Sequence, residues 1–273
     1  RIKDFFHGIK EILKKPVVSI LPGYLSFAFI LSFIPLLSLI GLIAYNLSIS
    51  IDILRVFLSN VFPGQTGEIL LQFLNRETIY FNGAIFTLLA ISISSNGMYS
   101  VIRISNILYG DNEDDISLKI KNRVKSLLMA FLMIGLVIFM FVVLGWGNSI
   151  MHQLSKIDAL SKVYGGIYSI YRISKYPLSF FVIYFIIKII YTLAPNEAIK
   201  SKTVNMGSVF ATIFLIIVTA IYAYYISLSH RFDILYGSLS NIIVLFIWLY
   251  FVSLVFILGL VINVYNSNKL EEK

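Results

Sequence analysis

The sequence predicts an all-α integral membrane protein with six transmembrane helices. Two observations predict this class, namely the composition and the placement of the charges along the chain. Of the 273 residues, 58% are hydrophobic and only 13% are charged, with a mean hydropathy of +0.87. Soluble domains are roughly a quarter charged, and a soluble fold of this length could not bury so much apolar surface. We interpret residues 1–273 as one membrane domain.

Long stretches without charge define the spans. Five of them exceed the roughly 20 residues that a spanning helix needs, and they cover residues 16–51, 78–102, 126–155, 203–230 and 234–268. A sixth stretch, 176–196, is interrupted only by Lys188. After trimming at polar and turn residues, the sequence predicts helices near 20–45, 83–106, 127–149, 178–194, 205–228 and 240–264.

The orientation follows from the lysines and arginines in the connections, because cytoplasmic loops carry an excess of both. The N-terminal segment and the connection after span two hold five each, and the connection after span four and the C-terminus hold two each. Against these 14 cations, the alternate connections hold 7, four of them between spans three and four. The sequence therefore predicts a multi-pass protein of a bacterial plasma (inner) membrane with both termini in the cytoplasm.

Two amphipathic segments lie outside the spans. Residues 1–16 place apolar side chains at helical spacing with charges on the other face, which predicts a helix in the cytoplasmic interface. The alternative is a soluble helix that packs on the protein's own loops. Residues 49–76 form two apolar stripes separated by Pro63-Gly64. They predict a short outer helical hairpin, either a lid or a cap over the bundle.

A polar cluster interrupts the apolar pattern of span two. Its members are Ser92, Ser94, Ser95, Asn96 and Gly97. Serine and asparagine side chains compete for backbone groups, and glycine relaxes a helix. Broken helices of this kind line transporter sites at membrane depth. The alternative is helix–helix packing, since small and polar residues also let membrane helices approach closely.

Three further residues complete a hypothetical site. Pro35 predicts a kink in span one that could face the polar cluster of span two, although a kink alone is an equal alternative. Lys188 could snorkel to the headgroups, line a cavity as a cation for a phosphate, or pair within the membrane. Arg103 follows Asn96 by about two turns. We hypothesise that Ser92, Ser95, Asn96, Gly97, Pro35, Arg103 and Lys188 surround one polar cavity open toward the cytoplasmic leaflet.

Enzyme chemistry is not indicated by the residues. Phosphodiester hydrolysis needs a metal cluster or a positioned acid–base pair, yet the histidines are only His7, His152 and His230, in no ligand motif. The acidic run 111–115 is explained by capping of a following helix, with a divalent-metal site as the alternative. Without cysteine, thiolate metal sites are excluded. We predict no enzyme, no cofactor, no metal site and no nucleic-acid partner, and we assign the net charge of +8 to anionic headgroups.

Four segments of the chain follow a pattern known from one protein family. They include Leu25-Ser26-Phe27 and Pro35-Leu36 in the first span, and the ends of spans two and four at Arg103, Asn106, Tyr109, Gly110, Tyr191 and Leu193-Ala194-Pro195-Asn196. The strongest likeness is C-terminal, at Tyr236-Gly237-Ser238-Leu239, Trp248-Leu249-Tyr250, Leu258-Gly259 and Asn263. In this order the segments resemble the YihY/BrkB family of inner-membrane proteins, which has carried the name ribonuclease BN. The chain departs from the pattern at 260–262, where Leu-Val-Ile replaces the common Ala-Glu-Leu, so no role of that carboxylate carries over.

The resemblance implies an architecture more firmly than a biochemistry. The family's names evoke a ribonuclease, serum resistance and envelope-lipid export. Together with the polar cluster it favours a transporter or flippase-like exporter of an amphipathic anionic envelope component, with membrane lipids as partners. The alternative is a non-transporting assembly or scaffold factor, which needs no cavity.

Overall fold

The computed structural model describes residues 2–46, 83–111, 116–140, 164–228 and 238–271, and the single residues 55, 143 and 151. Every regular element in these ranges is a helix. In chain order they are α1 (Ile2–Leu13), α2 (Pro16–Asn46), α3 (Gly83–Ser94), α4 (Asn96–Tyr109), α5 (Ile116–Met140), α6 (Tyr164–Leu193), α7 (Asn205–Leu228) and α8 (Ser238–Glu271).

Four of these helices contain segments long and apolar enough to cross a membrane. The segments belong to α2, α6, α7 and α8, and they cover Pro16–Leu39, Gly165–Leu193, Asn205–Ile226 and Ile243–Lys269. Their large apolar side chains are exposed on the outside of the bundle, as expected where lipid is the solvent. The predicted class, an all-α membrane protein, is confirmed for the described residues.

The predicted second and third spans have a different form. The second is divided at Ser95 into α3 and α4, each shorter than a single spanning helix. The third corresponds to α5, whose first turns carry a run of cations: Lys119, Lys121, Arg123 and Lys125. As far as the described residues reach, neither contains a segment long and apolar enough to cross a membrane alone, and the count of six spans stays a prediction.

Helix boundaries agree best where no charge or proline intervenes. The predicted bounds of α7 coincide with those observed, Asn205–Leu228. In contrast, α5 begins at Ile116 rather than near 127, and α6 begins at Tyr164 rather than near 178. The helix α6 continues through Pro177, which removes one backbone donor without ending it. Trimming at polar residues and at proline therefore shortened both predictions.

The N-terminal helix α1 packs against the bundle itself. Ile9, Ile12 and Leu13 contact the buried core, and Gly8 lies directly beneath the ring of Tyr265 on α8. Among the described elements, its neighbours are α8 and α2. Its placement in the membrane interface stays a prediction.

Helix α7 packs closely on α8, and α6 contacts both. Gly207 at the start of α7 donates its N–H to the side-chain Oδ1 of Asn263 on α8 at 2.9 Å. A Cβ at Gly207 would overlap the carbonyl oxygen of Gly259, so the two backbones approach as closely as glycine permits. From α6, the buried Tyr191 hydroxyl donates to the Phe256 carbonyl at 2.6 Å. These contacts fix the three helices to one another.

We call one end of the bundle the α1 end; it comprises α1, the starts of α5 and α7, and the ends of α4, α6 and α8. Several predicted features fall outside the described residues. These are the outer hairpin 49–76 apart from Arg55, most of the acidic run 111–115, and His152 and His230.

Candidate functional site

The polar cluster of span two does interrupt the helix. Ser95 stands between α3 and α4 with φ −75° and ψ −12°, still in the right-handed region. Ser95 N donates to Ile91 O at 3.2 Å, and Tyr99 N donates to Ser95 O at 2.9 Å. The chain direction is therefore nearly preserved, and the change is local to the backbone groups of residues 92–97.

One of those backbone groups bonds to the first span. The N–H of Gly97 donates to Ser32 Oγ on α2 at 2.7 Å. A Cβ at Gly97 would lie 3.1 Å from both Phe29 Cδ1 and Ser32 Oγ. Interruption and close packing, which the sequence left as alternatives, thus occur together. Pro35 lies on the same helix as Ser32, one turn further on, where it is half-buried.

A residue that the sequence analysis did not select completes the interruption. Arg123 of α5 donates from Nη1 to Asn96 Oδ1 at 2.7 Å. Its Nη2 donates to the Ser92 carbonyl and to Ser92 Oγ, both at 2.7 Å, and its Cζ lies 5.8 Å from the centre of the Tyr99 ring. The guanidinium therefore satisfies an acceptor that the interruption exposes, as broken membrane helices require.

This arrangement opens away from the bundle. Ser92 and Asn96 are exposed, and Arg123 is half-buried, whereas Ser94, Ser95 and Gly97 face inward and are buried. Exposed apolar side chains on α3 and α5 flank it, among them Leu88, Leu89, Ile120, Val124 and Leu128, and Lys119 is exposed one turn before Arg123. We call Ser92, Asn96, Tyr99 and Arg123 the lateral polar site.

Arg103 and Lys188 have other surroundings. Arg103 Nη1 donates to the Tyr24 hydroxyl on α2 at 3.4 Å, and Ser100 Oγ donates to the same hydroxyl at 3.4 Å. Lys188 Nζ lies 5.9 Å from the centre of the Tyr184 ring one turn earlier on α6. The structure thus gives Ser92 and Asn96 one common partner on α5, and it gives Gly97 a partner on α2. Lys188 has a neighbour on its own helix. A single cavity shared by all of them stays a prediction.

A small cavity between α2, α3 and α5 is nearly apolar. Its one polar side chain is Ser94, whose hydroxyl donates to Ile91 O at 3.0 Å, and its lining comprises Leu39, Ile91, Ser94, Leu127, Ala130, Phe131 and Ile134. Such a space suits an alkyl group better than a charged one.

At the α1 end, a polar junction ties α4 and α5 to the segment after α6. Lys125 Nζ donates to the carbonyls of Ala194 at 3.2 Å and Pro195 at 2.9 Å, and Asn196 N donates to Asn106 Oδ1 at 2.9 Å. Burial lowers the pKa of Lys125, with Lys121 adding to the effect and Asp111 opposing it. We call Asn106, Lys125 and residues 194–196 the α1-end junction.

Two of the segments that carry the family likeness, the ends of spans two and four, meet at this junction. Asn106 begins the turn that closes α4, where Gly110 adopts φ 85° and donates to the Asn106 carbonyl. Asn106 also holds the segment 194–196 through its side chain. Burial and the nearby Glu197 raise the pKa of Tyr109. Asn263 caps the start of α7 through Gly207.

Comparison with known proteins agrees with these structural features. The model of the BrkB virulence-factor family matches residues 14–273. The chain belongs to this BrkB family. The ribonuclease-like protein YfkH of Bacillus subtilis (strain 168) is 28% identical over 242 residues, covering 88% of this chain and 86% of YfkH. The UPF0761 membrane protein PSHAa0171 of Pseudoalteromonas translucida (strain TAC 125) is 33% identical over 70 residues, 26% of this chain and 23% of that protein. No solved structure matches the chain.

This BrkB-family chain therefore carries two polar features on one bundle, the lateral polar site and the α1-end junction. Sequence reasoning found one half of the lateral site, Ser92 and Asn96, from their type and depth. It missed Arg123, which it counted only as one cation of a basic connection. The sequence offers only a weak signal for Arg123. It is the arginine within residues 116–125, where the other cations are lysines, and arginine is the cation whose planar guanidinium forms two parallel hydrogen bonds.

Proposed function

We propose that this BrkB-family protein is a transporter or flippase-like exporter of an amphipathic anionic component of the cell envelope. The observation that carries the proposal is the exposure of Ser92 and Asn96 at the interruption of a predicted span. Polar groups that merely mediate packing are buried between helices, as Ser94 and Ser95 are here. Ser92 and Asn96 instead face outward around the Arg123 guanidinium, and a cation at this depth costs free energy unless it meets an anion or water.

The proposal includes six spans in a bacterial inner membrane with both termini in the cytoplasm. Helices α3 and α4 together cover residues 83–109, about 40 Å of helix, which suffices for the roughly 30 Å hydrocarbon layer. The cation bias of the connections supports the orientation. In this topology the α1 end faces the cytoplasm. Ser92 and Asn96 lie near the middle of the helix pair that covers 83–109, and Arg123 lies toward the headgroups, just before the predicted third span.

In mechanistic terms, an amphipathic substrate would divide between two environments. Its charged head would exchange water for the polar groups at the interruption, while its alkyl chains stay among the exposed apolar side chains. Such an arrangement lowers the cost of moving a charged headgroup through the hydrocarbon layer. It asks for no covalent chemistry, so we propose that the protein is not an enzyme. The sequence, with three histidines in no ligand motif, supports this view.

The test is a translocation assay on the full chain in vesicles. Fluorescently labelled phosphatidylglycerol is placed in both leaflets, and the fraction that an impermeant reductant bleaches is followed over time. Vesicles with the protein should expose the inner-leaflet label faster than protein-free vesicles. Equal rates for anionic lipids, with and without a transmembrane pH or ion gradient, would reject transport of this lipid class.

A second candidate is an assembly or scaffold factor that transports nothing. The close packing of Gly97 on Ser32 and of Gly207 on Gly259 favours it, because such contacts describe a rigid bundle. If the protein is such a factor, the purified chain should not translocate the labelled lipid.

A further inference from the structure

The most informative group outside the sequence-predicted site is the Arg123 guanidinium. We infer that Arg123, held at the interruption by Ser92 and Asn96, binds the phosphate of an anionic lipid headgroup. This inference deepens the proposed function and rests on it only for the movement of the lipid, not for its binding.

The first feature that favours anion binding is the positive charge of Arg123. Its partners among the described residues are an amide oxygen, a backbone carbonyl, a hydroxyl and an aromatic ring. None of these is an anion, and among the described residues no carboxylate forms an ion pair with it. A half-buried cation with neutral partners retains its attraction for an external anion.

The second feature is the number of N–H donors that the guanidinium still has for a ligand. A guanidinium has five N–H donors, and the three recorded bonds use one hydrogen of Nη1 and both of Nη2. The second Nη1 hydrogen and the Nε hydrogen are not used by these bonds. They lie on different edges of the planar guanidinium, so each can donate separately to an oxygen of a tetrahedral oxyanion. Because the bonds to Asn96 and Ser92 hold the fork in place, less side-chain freedom is lost when a ligand binds.

The surroundings distinguish a lipid from free phosphate. One turn before Ser92, Leu88 and Leu89 are exposed on the same side of α3, and Ile120 and Val124 flank Arg123 on α5. An isolated basic site for an inorganic ion would have no need of an apolar rim. A phosphate that carries alkyl chains would meet the guanidinium with its head and these side chains with its tail.

The experiment measures lipid binding to the purified full chain in detergent by native mass spectrometry. The probes are phosphatidylglycerol, diacylglycerol with the same acyl chains, and inorganic phosphate. The variants are Arg123→Gln, Arg123→Lys and the control Lys119→Gln, which removes an equal charge one turn earlier on the same helix. A thermal unfolding curve of each variant accompanies the titration.

We expect the affinity for phosphatidylglycerol to fall about tenfold in Arg123→Gln, which corresponds to about 1.4 kcal/mol. Lys119→Gln should stay within about twofold of the wild type, since an exposed surface charge contributes little. Arg123→Lys should lose part of the affinity, because it keeps the charge and loses the fork. Diacylglycerol and inorganic phosphate should each bind more weakly than phosphatidylglycerol.

Equal losses in Arg123→Gln and Lys119→Gln would overturn the inference, because they would indicate a general charge effect. Equal binding of inorganic phosphate and phosphatidylglycerol would overturn the assignment to a lipid. Should Arg123→Gln fail to fold, Arg123→Lys decides, and wild-type affinity there rejects the fork. Binding that depends on Arg123 without translocation would leave this site standing and reject only the proposed transport.

Discussion

The side chain of Asn106 accepts a hydrogen bond from the backbone N–H of Asn196, which lies 90 positions further along the chain, at 2.9 Å. The same asparagine contributes its backbone carbonyl to the turn at Gly110 and Asp111. One buried residue thus closes the end of α4 and anchors the segment that follows α6. We infer that Asn106 stabilises the α1 end by holding the segment after α6 against the end of α4.

Replacing Asn106 by Ala should destabilise the protein by about 1–3 kcal/mol, because the partly buried N–H of Asn196 loses its acceptor. The measurement is thermal or denaturant unfolding of the purified protein in detergent. Asn268→Ala is the control, since Asn268 is an exposed amide on α8. Similar stabilities of the two variants would contradict the assigned role.

The stability contributed around Lys125 should depend on pH. Its pKa in the folded protein lies below the ordinary value of 10.5, chiefly through burial. The folded chain therefore releases this proton at a lower pH than the unfolded chain. The free energy of unfolding should rise with pH from the folded pKa up to about 10.5, because the unfolded state binds more protons in that window.

Lys125→Met should lack this rise, whereas Lys119→Met, at an exposed position on the same helix, should keep it. Melting temperatures of the three proteins across the alkaline range, each compared with its own value at neutral pH, provide the measurement. Parallel curves for wild type and Lys125→Met would show that Lys125 does not titrate in this way.

The contact between α7 and α8 should tolerate no added methyl group. In Gly207→Ala the new Cβ would meet the Gly259 carbonyl and the Asn263 side chain, so the helices must separate. We expect a loss of about 1–3 kcal/mol or more. Gly135→Ala on α5 is the matched control, because nothing lies within 4 Å of its added Cβ. The stability of Gly135→Ala should be unchanged or slightly raised, as thermal unfolding in detergent would show.

The sequence predicts those parts of the fold that depend on local composition. The uninterrupted apolar blocks of α7 and α8 are recognisable because lipid exposure demands them over a whole helix. The starts of α5 and α6 are not, because a helix can extend beyond the hydrocarbon layer through Lys125 or Pro177 without any local penalty that a hydropathy pattern reveals. In the site, Ser92 and Asn96 are recognisable as polar residues at depth, whereas their partner Arg123 is fixed only by the packing of α5 on α3 and α4.

The orientation of the protein is open to a direct test. Reporter fusions after Lys202 and Lys273 should report the cytoplasm, and a fusion near Gly64 the outside, because 14 cations lie on one side and 7 on the other. Fusions near Lys162 and Arg231 should match Gly64. An outside signal at Lys273 together with a cytoplasmic signal at Lys202 would contradict the even number of spans. Outside signals at both positions would turn the lateral polar site toward the opposite leaflet.

The last prediction concerns Lys188, because replacing this residue distinguishes the hypothesis of a shared cavity from that of the lateral polar site. In the structure its ammonium lies beside the Tyr184 ring on its own helix, and Arg123 rather than Lys188 bonds to Asn96. A shared cavity predicts that Lys188→Met abolishes translocation of labelled phosphatidylglycerol while folding stays intact. A lateral site centred on Arg123 predicts that Arg123→Gln reduces translocation about tenfold and that Lys188→Met changes it little, since lysine near a helix end can snorkel to the headgroups. Measuring both variants in one vesicle preparation decides between them. Loss of activity in Lys188→Met alone would restore the cavity that includes Pro35 and Arg103, and it would place the substrate on the α6 side of the bundle.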